Sequence, residues 1–356
     1  MKTRLLLFGI LVLSAMVSYG TANIPGDVNN DGAVTAADIT ALYDHLLNND
    51  NSHLVYGDLN GDGLITAADI TAVYKVMLNN QVPKDTLKVL CIGNSFTDDA
   101  LSYLNSLAVA AGIDHNKLCF YLAKKSGSLD YWADVCENGD TVNINRCVGQ
   151  ITMPLTRAPL KELIAQDWDV ITVQQLSRYS QNSATLEPAL PYLVNLIRTE
   201  CPNKNLVIAW MQVWSYWRKN ANLQTSIENW QRINEVAQLT LDYGIDMIIP
   251  TGTAIQNARG TVLNTPHGLT RDGGHLCYGV GRYVAACSWF EALLAPVFGM
   301  SVIGNTAVHA ITDYEAYYAE THNFYENIPV IDDNRLLCQQ CAVAAIANPN
   351  QITTIE

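Results

Sequence analysis

A serine lies where the first predicted strand of the main domain meets a helix. Residues 87–99 read L-K-V-L-C-I-G-N-S-F-T-D-D, and the first six are typical of a short buried strand. Gly93 ends this strand, and Thr97 is expected to cap the following helix. Ser95 is then exposed at the carboxyl end of a strand, where backbone N–H groups face a ligand. It could be a nucleophile or an ordinary turn residue.

A carboxylate and a histidine that could activate this serine occur near the end of the same domain. In the segment L-T-R-D-G-G-H-L, Asp272 and His275 are three residues apart on a loop that contains glycine. A carboxylate at this spacing can accept a hydrogen bond from one imidazole nitrogen while the other nitrogen faces a serine. The alternative is a helix-capping aspartate followed by a surface histidine. The occurrence of both stretches in one domain favours a Ser–His–Asp arrangement.

Two twelve-residue segments near the amino terminus have the oxygen-rich pattern of calcium-binding loops. They read D-V-N-N-D-G-A-V-T-A-A-D and D-L-N-G-D-G-L-I-T-A-A-D, with glycine at position 6, where the chain must turn sharply. The expected ligands, at positions 1, 3, 5, 7, 9 and 12, are Asp27, Asn29, Asp31, Ala33, Thr35 and Asp38, and Asp58, Asn60, Asp62, Leu64, Thr66 and Asp69. We expect two Ca²⁺ ions, with Ala33 and Leu64 binding through their backbone carbonyls. No cofactor is expected for catalysis.

The segments that must position these residues follow one another along the chain. Residues 1–22 have Lys2 and Arg4 before an apolar run too short to span a bilayer, which predicts a secretory signal peptide. Residues 23–80 contain the two loops, each followed by a helix, and residues 81–85 are a linker that contains proline. Residues 86–300 are expected to form the main domain. Residues 301–356 are expected to pack on it as a carboxyl-terminal extension.

The main domain alternates short apolar runs with helical patterns. This alternation predicts βαβ units and a parallel sheet covered by helices on both faces. The predicted strands lie at 87–92, 117–122, 170–174, 206–211 and 247–250. The predicted helices lie at 98–111, 155–165, 187–200, 223–243, 278–295 and 334–347. The expected fold is an α/β three-layer sandwich preceded by a small all-α domain.

The composition excludes several classes of function. A net charge of −13 argues against nucleic acid and anionic membranes as partners. The predicted signal peptide leads us to expect a secreted protein that is extracellular, cell-surface associated or periplasmic, and no run after residue 22 is long and apolar enough to span a membrane. Among the nine cysteines, Cys136 and Cys147 could pair, and Cys338 and Cys341 could be buried thiols or a local disulfide.

The amino-terminal repeat resembles a type I dockerin, a duplicated loop–helix calcium module that binds a cohesin domain. The resemblance covers residues 27 to about 80 and implies a cohesin-like protein as partner. In that family, the residues at loop positions 10 and 11 contribute to the choice of partner. Here these positions are alanines, at 36–37 and 67–68.

The main domain resembles the SGNH (GDSL-like) hydrolase superfamily, whose fold is flavodoxin-like. It is most similar to a poorly characterised branch whose motifs are here G-N-S-F at 93–96, Q-Q-L-S at 174–177, I-P-T-G-T-A-I-Q-N-A-R at 249–259 and T-R-D-G-G-H at 270–275. The resemblance implies that Ser95 is the nucleophile, that His275 is the general base and then the general acid, and that Asp272 orients His275.

The resemblance also implies an oxyanion hole formed by the N–H of Ser95, a glycine N–H and an amide side chain. Gly127 is the best match for the glycine, with Ser126 as the alternative register. The asparagine of the superfamily is absent, so the amide would come from Gln174 or Gln175. Because side chains alternate along a strand, only one of them can enter the site, and we favour Gln175.

Three further residues are candidates for contact with substrate. Trp214 could stack on a sugar ring or belong to the core, and His267 and Arg271 could touch substrate or be ordinary loop residues. By family analogy, we expect a serine esterase that deacetylates an acetylated polysaccharide or oligosaccharide. The alternatives are a lipase or thioesterase that uses the same residues, and a non-catalytic carbohydrate-binding protein.

Overall fold

The computed structural model describes residues 26–30, 34–48, 57–59, 65–80, 86–149, 157–218, 220–325 and 327–355. The predicted signal peptide, the linker at 81–85 and five expected calcium ligands lie outside these ranges; the ligands are Asp31, Ala33, Asn60, Asp62 and Leu64. Within the described ranges, no helix combines the length and the apolar character needed to cross a membrane.

The described residues form a seven-stranded sheet with strand order β4-β3-β2-β1-β5-β6-β7. The strands are β1 (Leu87–Gly93), β2 (Leu118–Lys124), β3 (Thr141–Val148), β4 (Arg157–Pro159), β5 (Val170–Val173), β6 (Val207–Met211) and β7 (Met247–Ile249). Strands β2, β1, β5, β6 and β7 are parallel neighbours in this order, whereas β3 and β4 form an antiparallel edge beyond β2. The predicted α/β fold is confirmed, and β1 lies at the point where the strand order reverses.

Helices cover both faces of the sheet, as predicted. In chain order they are α1 (Ala36–Asn48), α2 (Ala67–Asn80), α3 (Ser95–Leu101), α4 (Leu104–Ala110), α5 (Leu129–Asn138), α6 (Leu160–Ile164), α7 (Ala189–Glu200), α8 (Leu223–Leu239), α9 (Thr251–Arg259), α10 (Val280–Trp289), α11 (Ala295–Phe298), α12 (Asp313–Thr321) and α13 (Asp332–Ala347). A π-helical segment, Phe290–Leu294, connects α10 to α11.

Alternate residues of β1 enter two separate hydrophobic layers. Val89 and Cys91 pack in the layer that contains α4, α9, α10 and α13, whereas Leu90 and Ile92 pack in the layer that contains α5 and α7. Lys88 is the one partly exposed residue of the strand. Because both faces of the strand are buried, its sequence is almost continuously apolar.

The helix after β1 begins earlier than predicted and is broken. Asn94, not Thr97, is its N-cap, because Asn94 Oδ1 accepts a hydrogen bond from Phe96 N at 2.9 Å. Thr97 is buried and donates its hydroxyl hydrogen bond to Gln174. The predicted helix at 98–111 is two helices, α3 and α4, and the predicted helix at 155–165 includes the short strand β4.

The amino-terminal helices and the carboxyl-terminal segment both contact the main domain. Helix α13 packs against α9 and α10, and α2 packs against α11 and α13. Tyr43, Ile70 and Tyr74 line a small cleft together with Met247 and Ile248 of the edge strand β7. The assignment of residues 301–356 as an extension of the main domain stays a prediction.

All nine cysteines lie in the described part of the chain, and none forms a disulfide. Cys136 and Cys147 are both free thiols, so the structure does not contain the pairing that the sequence allowed. Cys338 and Cys341 are buried thiols within α13, where they contribute to the hydrophobic layer on that face of the sheet.

Candidate active site

Ser95 lies at the bend between β1 and α3, and a chain of two hydrogen bonds links it to Asp272. The Oγ atom of Ser95 lies 2.8 Å from Nε2 of His275. The other imidazole nitrogen, Nδ1, lies 2.6 Å from Oδ2 of Asp272. His275 and Asp272 have side-chain exposures of 33% and 29%, so solvent or a small substrate can reach them. The three residues are therefore arranged as acyl transfer requires.

Asp272 is held in place by the loop that carries it. Its Oδ1 atom accepts hydrogen bonds from the backbone N–H groups of Gly274 and His275, at 2.9 and 2.7 Å. Burial alone would raise the pKa of Asp272, but the hydrogen bonds from the His275 side chain and from these backbone groups outweigh it and lower the pKa to about 2. The carboxylate is therefore ionised at neutral pH.

A buried ion cluster fastens the helix of Ser95 to the loop of His275. The carboxylate of Asp99 accepts hydrogen bonds from Arg271 Nη1 at 3.0 Å and from Leu276 N at 2.9 Å. Arg282, from α10, donates to the same carboxylate from Nε and Nη2 at 2.9 and 2.7 Å. We call Asp99, Arg271, Leu276 and Arg282 the Asp99 cluster. Arg271 and Leu276 flank the Asp272–His275 segment, so Asp99 holds this segment at both of its ends.

Arg271 therefore holds this loop instead of facing the site. Only 8% of the residue is exposed, and its guanidinium lies between the rings of Tyr278 and Phe324, at 5.0 and 5.7 Å from their centres. This corrects the expectation that Arg271 contacts substrate. His267 is partly exposed and stacks on Tyr325, with ring centres 3.6 Å apart. Its contact with substrate stays a prediction.

Trp214 also supports the site from beneath. It is 1% exposed, stacks on Phe96 with ring centres 4.3 Å apart, and donates from Nε1 to the backbone carbonyl of Gly274 at 2.7 Å. Of the two alternatives for Trp214, burial of the ring supports a place in the core and leaves no face open for a sugar. The more exposed aromatic side chain here is Tyr216, whose hydroxyl lies 2.7 Å from Ser177 Oγ.

The two candidate glutamines have different environments. Gln175 is fully buried; its Oε1 accepts from Leu129 N and Leu176 N, and its Nε2 donates to both oxygens of Thr185. Both ends of this amide are hydrogen-bonded to neighbouring loops. This corrects our preference for Gln175 as the amide donor of the oxyanion hole. Gln174 continues β5 beside Gly93, and its Nε2 is buried without a hydrogen-bond partner in the described part of the chain.

The two backbone donors proposed for the oxyanion hole lie at starts of helices. Ser95 is the first residue of α3, so its N–H has no acceptor within that helix. Gly127 directly precedes Ser128, the N-cap of α5, and a Cβ atom at Gly127 would collide with the ring of Tyr131. The absence of a side chain at Gly127 therefore lets the backbone lie directly against the ring of Tyr131. Ser126 is exposed, and the choice between Gly127 and Ser126 stays a prediction.

Sequence reasoning did not identify Arg259, which fixes the loops beneath the site. This arginine is 1% exposed and donates to Gly268 O at 2.9 Å, to Ser215 Oγ at 2.6 Å and to Ser215 O at 3.0 Å. Burial lowers the pKa of Arg259 to about 9, so the guanidinium stays charged at neutral pH. The available signal was a charged residue at the end of the motif at 249–259.

The described parts of the two amino-terminal loops each end in a buried aspartate, and no group of three ligating side chains is complete within the described residues. Asp38 accepts hydrogen bonds from Asn29 N and Thr35 N, at 3.0 and 2.7 Å, and Asp69 is bonded to its own loop in a similar way. Asp38 is fully buried, and burial, with a smaller effect of Asp27, raises the pKa of its carboxyl. A divalent cation would neutralise this concentration of buried carboxylates.

Two family models match separate parts of the chain. Residues 25–78 match the type I dockerin domain, a kind of module that binds calcium and cohesins. Residues 88–318 match the family described as a domain of unknown function, DUF4886. A search of curated proteins finds no match.

Three solved structures resemble the chain. One is a DUF4886 family protein from Bacteroides uniformis, with 28% identity and a TM-score of 0.59 over 76% of this chain and 98% of that one. A protein from Parabacteroides merdae assigned as a GDSL-like lipase has 14% identity and a TM-score of 0.39, over 59% and 98% of the two chains. A protein from Slackia heliotrinireducens assigned as an SGNH hydrolase has 17% identity and a TM-score of 0.37, over 59% of this chain and 97% of that one. Since the family match spans residues 88–318, the chain belongs to the DUF4886 family.

Proposed function

We propose that this protein is a serine esterase of the SGNH type that removes acetyl groups from carbohydrate. The observation that carries the proposal is the pair of hydrogen bonds from Ser95 to His275 and from His275 to Asp272, at 2.8 and 2.6 Å. The choice of an acetylated carbohydrate as substrate rests on family analogy and on the dockerin module.

In the proposed reaction, Ser95 Oγ attacks the ester carbonyl while His275 Nε2 takes the hydroxyl proton. The tetrahedral intermediate then collapses, the alcohol leaves with that proton, and the acyl group remains on Ser95. Water attacks the acyl-enzyme with His275 as base, which releases acetate and restores the serine hydroxyl. Asp272 holds the ring of His275 and stabilises its protonated form.

The negative oxygen of the intermediate would be bound by three donors. Two are the N–H groups of Ser95 and Gly127, and we propose the amide of Gln174 as the third. The buried, unpartnered Nε2 of Gln174 supports this choice over Gln175. Removal of one oxyanion donor typically costs about 10²–10³ in rate, so Gln174→Leu should lose that much.

We further propose that the enzyme is secreted and attached to a cohesin-like protein through its dockerin module. The module would hold two Ca²⁺ ions in the loops at 27–38 and 58–69. The buried carboxylates of Asp38 and Asp69, at the ends of these loops, support this part of the proposal.

Release of p-nitrophenol from p-nitrophenyl acetate, and of acetate from acetylated polysaccharides, tests the catalytic proposal. Ser95→Ala and His275→Ala should each lower kcat by about 10³-fold or more, because the residues act as a unit. Ser106→Ala, on the exposed side of α4, is the matched control. Full activity of Ser95→Ala would overturn the proposal. A rate that rises with acyl chain length would favour the lipase or thioesterase instead.

A further inference from the structure

The edge of the sheet around Ser95 carries exposed cationic side chains, although the whole chain has a net charge of −13. Lys125 directly follows β2, Arg178 follows β5 and Arg218 follows β6. These strands have the same direction as β1, so their carboxyl ends meet at the edge where α3 begins. All three side chains are exposed. We call them the cationic rim.

Arg218 is linked to the catalytic histidine through two aromatic rings. Its guanidinium lies over Tyr216, 4.9 Å from the ring centre. The Tyr216 ring meets Phe96 edge-on at 6.1 Å, and the Phe96 ring centre lies 5.6 Å from that of His275. A substrate that reaches Ser95 past Tyr216 would therefore approach the guanidinium of Arg218.

The other two members of the cationic rim are connected to the site through a neighbouring residue or through the backbone. Arg178 follows Ser177, whose hydroxyl lies 2.7 Å from that of Tyr216, and its guanidinium lies over Tyr179 at 4.9 Å. Lys125 N donates to the carbonyl of Gly93 at 3.1 Å, two residues before Ser95.

The nearby carboxylates do not neutralise these cations. Among the described residues, none forms an ion pair with Lys125, Arg178 or Arg218; instead Asp98 pairs with Lys124, and Asp99 with Arg271 and Arg282. Asp130, exposed in the first turn of α5, and the partly exposed Asp272, whose histidine partner is neutral when it acts as a base, carry opposing charge at this edge. The cationic rim therefore keeps an excess of positive charge.

We propose that the substrate is an acidic polysaccharide whose carboxylates bind the cationic rim while its acetyl ester lies at Ser95. This inference rests on the proposed esterase function. Arginine binds carboxylates through two parallel hydrogen bonds, and each of these guanidiniums has one face on an aromatic ring. A chain with a net charge of −13 repels polyanions at long range, so productive binding of one requires a local excess of cations.

The test compares two forms of one polymer. Acetylated polygalacturonate is used with free carboxylates and with its carboxylates converted to primary amides, and acetate release is measured at low salt. The free polymer should have a KM about 10-fold lower than the amidated one. Arg178→Gln and Arg218→Gln should each reduce this ratio of KM values by about 3-fold, since exposed ion pairs are weak. Arg232→Gln, on the exposed face of α8, is the control and should leave the ratio unchanged.

Binding by Ser95→Ala separates the failure of this inference from the failure of the esterase proposal. In affinity electrophoresis, Ser95→Ala should be retarded by the free polymer and not by the amidated one, whether or not the wild type is active. Retardation by both polymers, or by neither, would overturn the inference. Equal retardation by polyphosphate would show a general polyanion surface and would overturn the assignment to carboxylated sugars.

Discussion

At the scale of the residue, Asp272 accepts three hydrogen bonds from its own loop, two from backbone N–H groups and one from His275. These bonds hold the carboxylate in one orientation before substrate binds. Because they lower its pKa from the ordinary 3.8 to about 2, the ionised form stabilises the folded chain. This contribution is complete above the ordinary value and is lost as the pH falls through about 2.

Asp272→Asn should therefore have a pH-dependent effect on stability. We expect the difference in Tm from the wild type to shrink below about pH 4, where the Asp272 carboxyl becomes protonated in the unfolded chain. Activity should fall about 10³-fold, because an amide cannot stabilise the protonated imidazole. Thermal unfolding at several pH values tests this, with the exposed Asp242→Asn as control. A difference that disappears near pH 6 would contradict it.

Asp99 connects the helix of Ser95 to the loop of His275, so we expect it to position these two residues. Asp99→Asn should lower kcat about 10²-fold with little change in KM for p-nitrophenyl acetate, because small displacements of reacting groups are costly. It should also destabilise the fold by about 3–5 kcal/mol, since it leaves buried arginines unpaired. Asp98→Asn is the matched control, because this neighbouring carboxylate is 43% exposed and pairs with Lys124.

Two measurements distinguish positioning from a general loss of stability. Arg282→Gln removes the contact from α10 but keeps the bonds from Asp99 to Arg271 and Leu276. It should therefore lower the free energy of unfolding while leaving kcat nearly unchanged. The low-field proton resonance of the Asp272–His275 hydrogen bond should persist in Asp99→Asn, since that bond lies within the loop. Unchanged kcat in Asp99→Asn would refute the positioning role.

At the scale of the element, the bend between β1 and α3 depends on Gly93. A Cβ atom here would collide with Thr97 Oγ1 and lie 3.1 Å from Gln174 Oε1, so the hydrogen bond between these buried side chains would be disturbed. We expect Gly93→Ala to destabilise the fold by about 1–3 kcal/mol, as measured by urea unfolding. The cost should be smaller in a Thr97→Ala background; an equal cost would exclude the collision as the cause.

Several elements could be predicted from sequence because their environment is uniform. The parallel strands are buried on both faces and are therefore continuous apolar runs that end at glycine or polar residues. Strand β3 was missed because it lies near the edge of the sheet, and only Val142, Ile144 and Val148 of its residues are fully buried. Helix α9 was missed because Thr251, Gly252 and Thr253 are poor helix formers; complete burial stabilises it instead.

The candidate site was predictable only where local spacing carries information. Ser95 was recognised from the strand-to-helix bend, and Asp272 and His275 from their separation of three residues. The Asp99 cluster could not be found this way, because Asp99 is 172 to 183 residues from the other three members and meets them only in the fold. Alternation along a strand indicates that Gln174 and Gln175 differ in direction, but it does not say which one is used for packing.

At the scale of the whole molecule, calcium should act on one part of the chain. The expected ligands lie before residue 70, whereas Ser95, Asp272 and His275 belong to the sheet and its loops. Chelation should therefore unfold α1 and α2 while p-nitrophenyl acetate hydrolysis changes by less than about twofold. Circular dichroism and activity in EDTA measure both effects, and calorimetric titration should give two Ca²⁺ per chain.

Substitution of the loop carboxylates provides the matched comparison. Asp38→Ala combined with Asp69→Ala should reproduce the effect of EDTA in the presence of excess calcium. If chelation abolished hydrolysis in the wild type, the two parts of the chain would be coupled through the contacts of α2 with α11 and α13.

The nine free thiols make unfolding a one-way process in air. Eight are buried, and burial raises the pKa of thiols such as Cys277, to about 11, which keeps such thiols protonated and unreactive in the folded chain. An unfolded chain exposes all nine, and with an odd number at least one is left to cross-link neighbouring molecules. Recovery after urea treatment should therefore require a reductant, although the native protein needs none. In an oxidising medium, folded molecules would thus keep their thiols reduced, whereas unfolded molecules would be cross-linked and could not refold.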